Sequence, residues 1–173
     1  RLRDANDPGR ERSINRGMQT NMAKYVARFA TEFQALDSLK IAHELDKRLQ
    51  KEGRQLRVLV QVNSSAEPQK PGIAPEEAVD FARELAAFDS LDVRGLMTVA
   101  LNSSDQRAVA DCFDLVVATQ DKLRQEVGDT SDWSELSMGM SGDLEIAIAH
   151  GSTQVRIGTD IFGARDPART WRP

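Results

Sequence analysis

Trp133-Ser-Glu-Leu-Ser-Met-Gly-Met-Ser-Gly-Asp-Leu-Glu-Ile-Ala-Ile-Ala-His-Gly-Ser-Thr-Gln-Val-Arg-Ile-Gly-Thr159 carries two strand patterns separated by one short helical pattern. The spacing predicts a strand over 133–138, a helix over 141–150 with Ser141 as N-cap, and a strand over 154–157 that runs into Gly158 and Thr159. The same alternation extends toward the N-terminus. Arg57-Val-Leu-Val-Gln-Val62 is too short and too branched for a helix, and a further strand is predicted over 93–99. Between them, Leu39, Ala42, Leu45 and Leu49 recur at helical spacing, with Asp37 or Ser38 as N-cap and Gly53 as the stop. Pro75-Glu76-Glu77 opens another helix with Val79, Ala82, Leu85 and Ala86 on its core side, and a long helix over 105–127 puts Val109, Phe113, Val116 and Leu123 on one stripe.

Strand and helix in strict alternation imply parallel strands joined by right-handed crossovers. The fold class expected is α/β, a parallel (β/α) barrel of TIM type. About five strand-helix units fit into 173 residues, so the barrel is expected to be incomplete. Residues 18–165 form the partial barrel, 1–17 a frayed or disordered lead-in, and 166–173 a C-terminal tail. An incomplete barrel leaves an open sheet edge, which calls for self-association or a partner chain to cover it.

Composition narrows the function. With 23 basic against 27 acidic residues the formal net charge is −4, which argues against nucleic-acid binding by bulk electrostatics. No apolar run approaches the roughly 20 residues a bilayer span needs, so the expectation is a cytoplasmic protein without membrane association. Cys112 is the only cysteine, and it with His43 and His150 offers no metal-ligand spacing. Neither histidine has a nucleophile partner in view, so no catalytic residue is assigned.

In parallel α/β folds ligands sit at the C-terminal ends of strands. That rule selects Asn63, Met97 to Ala100, Ser137 to Ser141 and Arg156 to Thr159. Gly158 lets backbone N–H groups approach a phosphate closely, and Ser141 adds a hydroxyl donor. The same glycines and serine would also serve as ordinary turn and cap residues. Strand alternation puts Arg156 and Gly158 on one face and Val155 and Ile157 on the other. On that face Arg156 serves either an anionic ligand or an ion pair with a carboxylate at the barrel mouth.

The stretch from Ser137 to Arg165 resembles the C-terminal signature of the pyridoxal phosphate homeostasis protein family, whose members share the barrel fold of the alanine racemase N-terminal domain. Val62-Asn63 with Glu67, Lys70 and Gly72, Arg94-Gly-Leu-Met97, and Gln19-Thr20-Asn21 with Ala23-Lys24 resemble further family motifs. The resemblance implies pyridoxal 5′-phosphate as cofactor, with its phosphate at Ser141, Gly158 and Thr159, its ring nitrogen facing Arg156, and Asn63 at the site. A guanidinium donates only, so it suits an unprotonated ring nitrogen, which makes the ring a poorer electron sink. The family's Schiff-base lysine, at the end of its first strand, has no counterpart among Lys24, Lys40, Lys47, Lys51, Lys70 and Lys122. Met22 and Pro71 also depart from the family pattern. The expectation is therefore a non-catalytic, cofactor-homeostasis protein that binds pyridoxal phosphate weakly and non-covalently. The alternatives are a racemase-like enzyme, or a fragment completing its barrel with another chain.

Overall fold

In a computed structural model of the chain, residues 11–129 and 131–163 are described. The N-terminal ten residues and the expected tail over 166–173 lie outside them. The elements run β1 (Ser13–Ile14), a 3-10 turn (Thr20–Met22), α1 (Ala23–Phe29), β2 (Glu32–Leu36), α2 (Leu39–Glu52) and β3 (Leu56–Gln61). A second 3-10 turn (Pro75–Glu77) precedes α3 (Ala78–Leu85), β4 (Leu91–Met97), α4 (Gln106–Val127), β5 (Glu135–Met140), α5 (Leu144–Ala149), β6 (Gln154–Arg156) and α6 (Thr159–Phe162).

The six strands form one all-parallel sheet in sequence order, β1 to β6. In a flat sheet β2 and β6 would stand four inter-strand spacings, roughly 19 Å, apart. Yet Gln34 on β2 donates to the side chain of Gln154 on β6 and accepts from Ser137 Oγ on β5 at 2.8 Å. The sheet is therefore curled, an open part of a barrel with a polar concave face.

Helices cover the convex face because their apolar stripes match it. In α2, Ile41, Ala42, Leu45 and Leu49 are all buried, and Gly53 ends the helix at φ 61°, a left-handed conformation that glycine adopts without cost. Asp105 caps α4 by accepting from Arg107 N at 2.9 Å and Ala108 N at 3.4 Å, and Val109, Phe113, Val116 and Leu123 face inward as the spacing predicted. Each such fully buried Leu or Phe contributes about 2 kcal/mol over an exposed one. Arg54 closes α1, its guanidinium donating to Ala27 O and to Ala30 O at 2.5 and 2.7 Å.

Several boundaries differ from expectation. The 1–17 lead-in gives way to strand β1, where Ser13 and Ile14 pair with Glu32 and Phe33 and Arg12 N donates to Thr31 Oγ1 at 2.8 Å. Strand β2 and helix α1 are additional elements, bringing the strands among the described residues to six. Trp133 is not in a strand: it sits at φ 46°, 1% exposed, as a plug ahead of β5. The last long strand thus starts at Glu135. On α3, Phe81 rather than Ala86 faces the core. The helix expected from Ser141 starts at Leu144, so Ser141 is a turn residue and not an N-cap.

Candidate functional site

Arg156 reaches back across the concave face from β6. Its Nη1 donates to Ser137 O at 2.8 Å and Ser137 Oγ at 2.7 Å on β5, and its Nη2 donates to Thr98 O at 2.6 Å, just beyond β4. Three of a guanidinium's five N–H groups are so committed, which among the described residues leaves two for a ligand. Burial lowers the Arg156 pKa from its ordinary value, and the nearby Asp143 carboxylate works in the opposite sense. No carboxylate forms a salt bridge with Arg156 among the described residues, so the barrel-mouth ion pair is not formed there.

Beside Arg156 lies a cleft of about 720 Å³ bounded by Ser141, Gly142, Gly158 and Thr159 at one end and by Ser13, Glu32 and Gln34 toward the other. Met140 N donates to Asp143 Oδ1 at 2.5 Å, which shapes the turn after β5. Ser141 Oγ accepts from Asp160 N at 3.4 Å and ties that turn to α6. The backbone N–H groups of Gly142, Gly158 and Thr159 have no protein partner among the described residues. A Cβ added at Gly142 or Gly158 would meet nothing within 4 Å. The cradle is thus hydroxyls and free amides around open space, a donor set suited to a phosphate.

Four of the five sequence-predicted site residues, Ser141, Arg156, Gly158 and Thr159, line this one cleft. Asn63 does not. Its Nδ2 donates to Glu67 O at 2.9 Å and Lys70 O at 3.4 Å, its Oδ1 accepts from Ser65 N and Oγ, and it borders a separate recess with Lys70 and Gly72. The amide is consumed in bracing its own loop. Sequence reasoning missed Gln34 and Glu32, which line the cleft, whereas Ser137 and Thr98, both inside the strand-end stretches it selected, anchor Arg156. The alternation of Glu32 and Gln34 with Phe33 and Ala35 was the available signal.

The remaining candidates fall elsewhere. His150 Nδ1 contacts Asp114 Oδ1 at 2.5 Å, His43 packs edge-on to Phe88, and Cys112 is buried. Among the described residues no group of His, Cys, Asp and Glu could hold a metal, and no helix is long and apolar enough to cross a membrane.

Residues 9–166 match the family described as alanine racemase, N-terminal domain. The chain belongs to that family. It is 39% identical over 149 residues to the pyridoxal phosphate homeostasis protein of Pasteurella multocida, covering 86% of this chain and 64% of the relative. The human protein of the same name is 35% identical over 144 residues, covering 81% of this chain and 52% of its own length. The chain thus spans little more than half to two thirds of these relatives. Among solved structures, PipY of Synechococcus elongatus with PLP bound superposes with a TM-score of 0.82 at 26% identity, covering 90% of this chain and 72% of PipY. An alanine racemase of Clostridium difficile superposes with a TM-score of 0.74 at 16% identity, which speaks for the shared barrel fold alone.

Proposed function

We propose that this member of the alanine racemase N-terminal domain family is a pyridoxal phosphate carrier of the homeostasis type, non-catalytic by itself. The observation that carries this reading is the pairing of a donor-only guanidinium with a cradle of free amides in one cleft. The donor set fits the cofactor. Ser141, Gly158 and Thr159 would hold the phosphate, and Arg156 would face the ring nitrogen as a donor that keeps its proton. Asn63 would act indirectly, by shaping the loop after β3.

When bound, the cofactor supplies an aldehyde that reacts with amines and a ring that withdraws electrons. The chain's own residues favour holding over chemistry. None of the six lysines of the sequence lines the cleft, and Lys70 is occupied by Ala100 O at 3.1 Å and Glu67 Oε2 at 2.5 Å. Binding is therefore reversible and non-covalent in this reading, in a cytoplasmic setting. The edges of the sheet at β1 and β6 are the places where a second copy or a partner chain would complete the barrel.

Isothermal titration of the chain with pyridoxal phosphate tests the reading. Binding that Arg156→Ala abolishes is expected, whereas no heat, or heat unchanged by that substitution, refutes it. Borohydride reduction followed by peptide mapping separates carriage from racemase-like chemistry: a labelled lysine would overturn the non-covalent reading. Sizing chromatography reports whether the open edges are covered in solution.

A further inference from the structure

We infer that Glu32 is a positioning residue for Arg156, acting through Gln34 and Ser137 along a polar column inside the half-barrel. The column begins at a carboxylate that is only 3% exposed and has no salt bridge among the described residues. Glu32 Oε2 accepts from Ser13 Oγ at 2.5 Å and from Gln34 Nε2 at 2.6 Å, and Oε1 accepts from Gln154 Nε2 at 3.5 Å. A buried carboxylate accepts only, and this one is surrounded by donors.

That acceptor fixes the direction of every bond beyond it. Gln34 has two faces, an amide nitrogen and a carbonyl oxygen, and a flipped amide would set its oxygen against the carboxylate. Glu32, together with Gln154 Oε1, which also accepts from Gln34 Nε2, therefore holds the Gln34 nitrogen on its side and turns the Gln34 oxygen toward β5. The Ser137 hydroxyl must then donate to Gln34 Oε1, at 2.8 Å, which leaves its lone pair to face Arg156 Nη1 at 2.7 Å. Had the Ser137 proton pointed the other way, it would have met a cation. The column thus runs donor to acceptor from Arg156 to Glu32 without reversal, and its bonds polarise one another in a low-dielectric interior. Arg156 is pinned by an anion it never touches, two side chains away, and the guanidinium plane is fixed with two N–H groups left for the cleft.

A merely structural Glu32 would stabilise β1 against β2 and leave Arg156 unaffected. Nitrogen-15 NMR of the ligand-free chain separates the two roles, because a pinned guanidinium shows resolved, slowly rotating Nη–H signals. Glu32→Gln, which can present either amide face, is expected to average the Arg156 signals while the melting temperature shifts little. Ser137→Ala, a small truncation at the middle of the column, is expected to do the same. Unchanged Arg156 signals in Glu32→Gln would overturn the inference whatever the chain binds, even where Ser137→Ala, which removes a direct contact, averages them.

The consequence for ligand rests on the carrier reading and has its own readout. Glu32→Gln should weaken pyridoxal phosphate binding about tenfold, the order of one lost hydrogen bond to a charged group. It should leave competition by inorganic phosphate unchanged and have no further effect in an Arg156→Ala background. A chain with averaged Arg156 signals that never bound pyridoxal phosphate would sink the carrier reading and leave the positioning role standing. Intact signals in a chain that binds would do the reverse.

Discussion

Arg156 Nη2 lies 2.6 Å from Thr98 O, so a side chain of β6 grips the backbone just past β4, with β5 between them. Together with the bonds to Ser137 on β5, it ties three neighbouring strands to one guanidinium and leaves the orientation of that group little freedom. Arg156→Lys is therefore not conservative. A lysine is a point charge on a flexible stem and does not reproduce a planar fork satisfying Ser137 O, Ser137 Oγ and Thr98 O together. We expect Arg156→Lys to lower stability by about 1–3 kcal/mol, the cost of leaving buried acceptors unmade, and to reduce pyridoxal phosphate affinity at least about tenfold. Urea denaturation and titration calorimetry check the two halves.

Gly158→Ala should separate binding from stability. An added Cβ there meets no protein atom within 4 Å, so the folded chain has room for the methyl group. The space it fills is the space a phosphate would need to reach the amides of Gly158 and Thr159. We expect an unchanged melting temperature with clearly weakened competition by inorganic phosphate. A methyl group that left phosphate competition intact would place the anion elsewhere.

The parts of the fold that were legible in the sequence are those where one face alone meets the core. Leu39 to Leu49 and Val109 to Leu123 repeat at helical spacing because only one stripe of each helix is covered, and the 57–62 run is branched and apolar enough to read as a strand. Strand β2 was not legible, because Glu32 and Gln34 line a polar barrel interior and break the apolar run that marks a parallel strand. Arg156 stood out through simple strand alternation. Ser137 and Thr98 fell within the selected strand ends, but their pairing with Arg156 was not legible, since they are 19 and 58 residues away and meet it only because the sheet curls. Asn63 follows a strand end, as a site residue should, and its own loop folds back to use its amide.

Gly95 is held by packing. A Cβ there would lie 1.9 Å from Glu135 O and 2.7 Å from Glu135 C, both backbone atoms of the neighbouring strand. Neither can swing aside without opening the β4–β5 ladder, in which Gly95 is paired with Glu135. Gly95→Ala should therefore cost about 3 kcal/mol or more, at the upper end of overpacking effects. The denaturation midpoint reports it. Because Thr98 follows directly on β4 and Ser137 lies on β5 just past Glu135, the same substitution should loosen Arg156 and weaken ligand binding.

The loop after β3 should respond to acid through Glu67. Its hydrogen bond with Lys70 holds the Glu67 pKa below the ordinary 4.5, opposed in part by desolvation. A carboxylate with a depressed folded-state pKa contributes stability that is fully present above the unfolded value and is lost as pH falls through the folded one. The Glu67–Lys70 contact should thus support the loop at neutral pH and release it below about pH 4.5. Asn63 Nδ2 donates to the backbone oxygens of the same two residues, so the amide and the ion pair brace one loop. The difference in melting temperature between the native chain and Glu67→Gln should be largest near neutrality and shrink on acidification. A difference that stayed constant from pH 7 to about pH 3 would mean that the carboxylate acts through shape and not through charge.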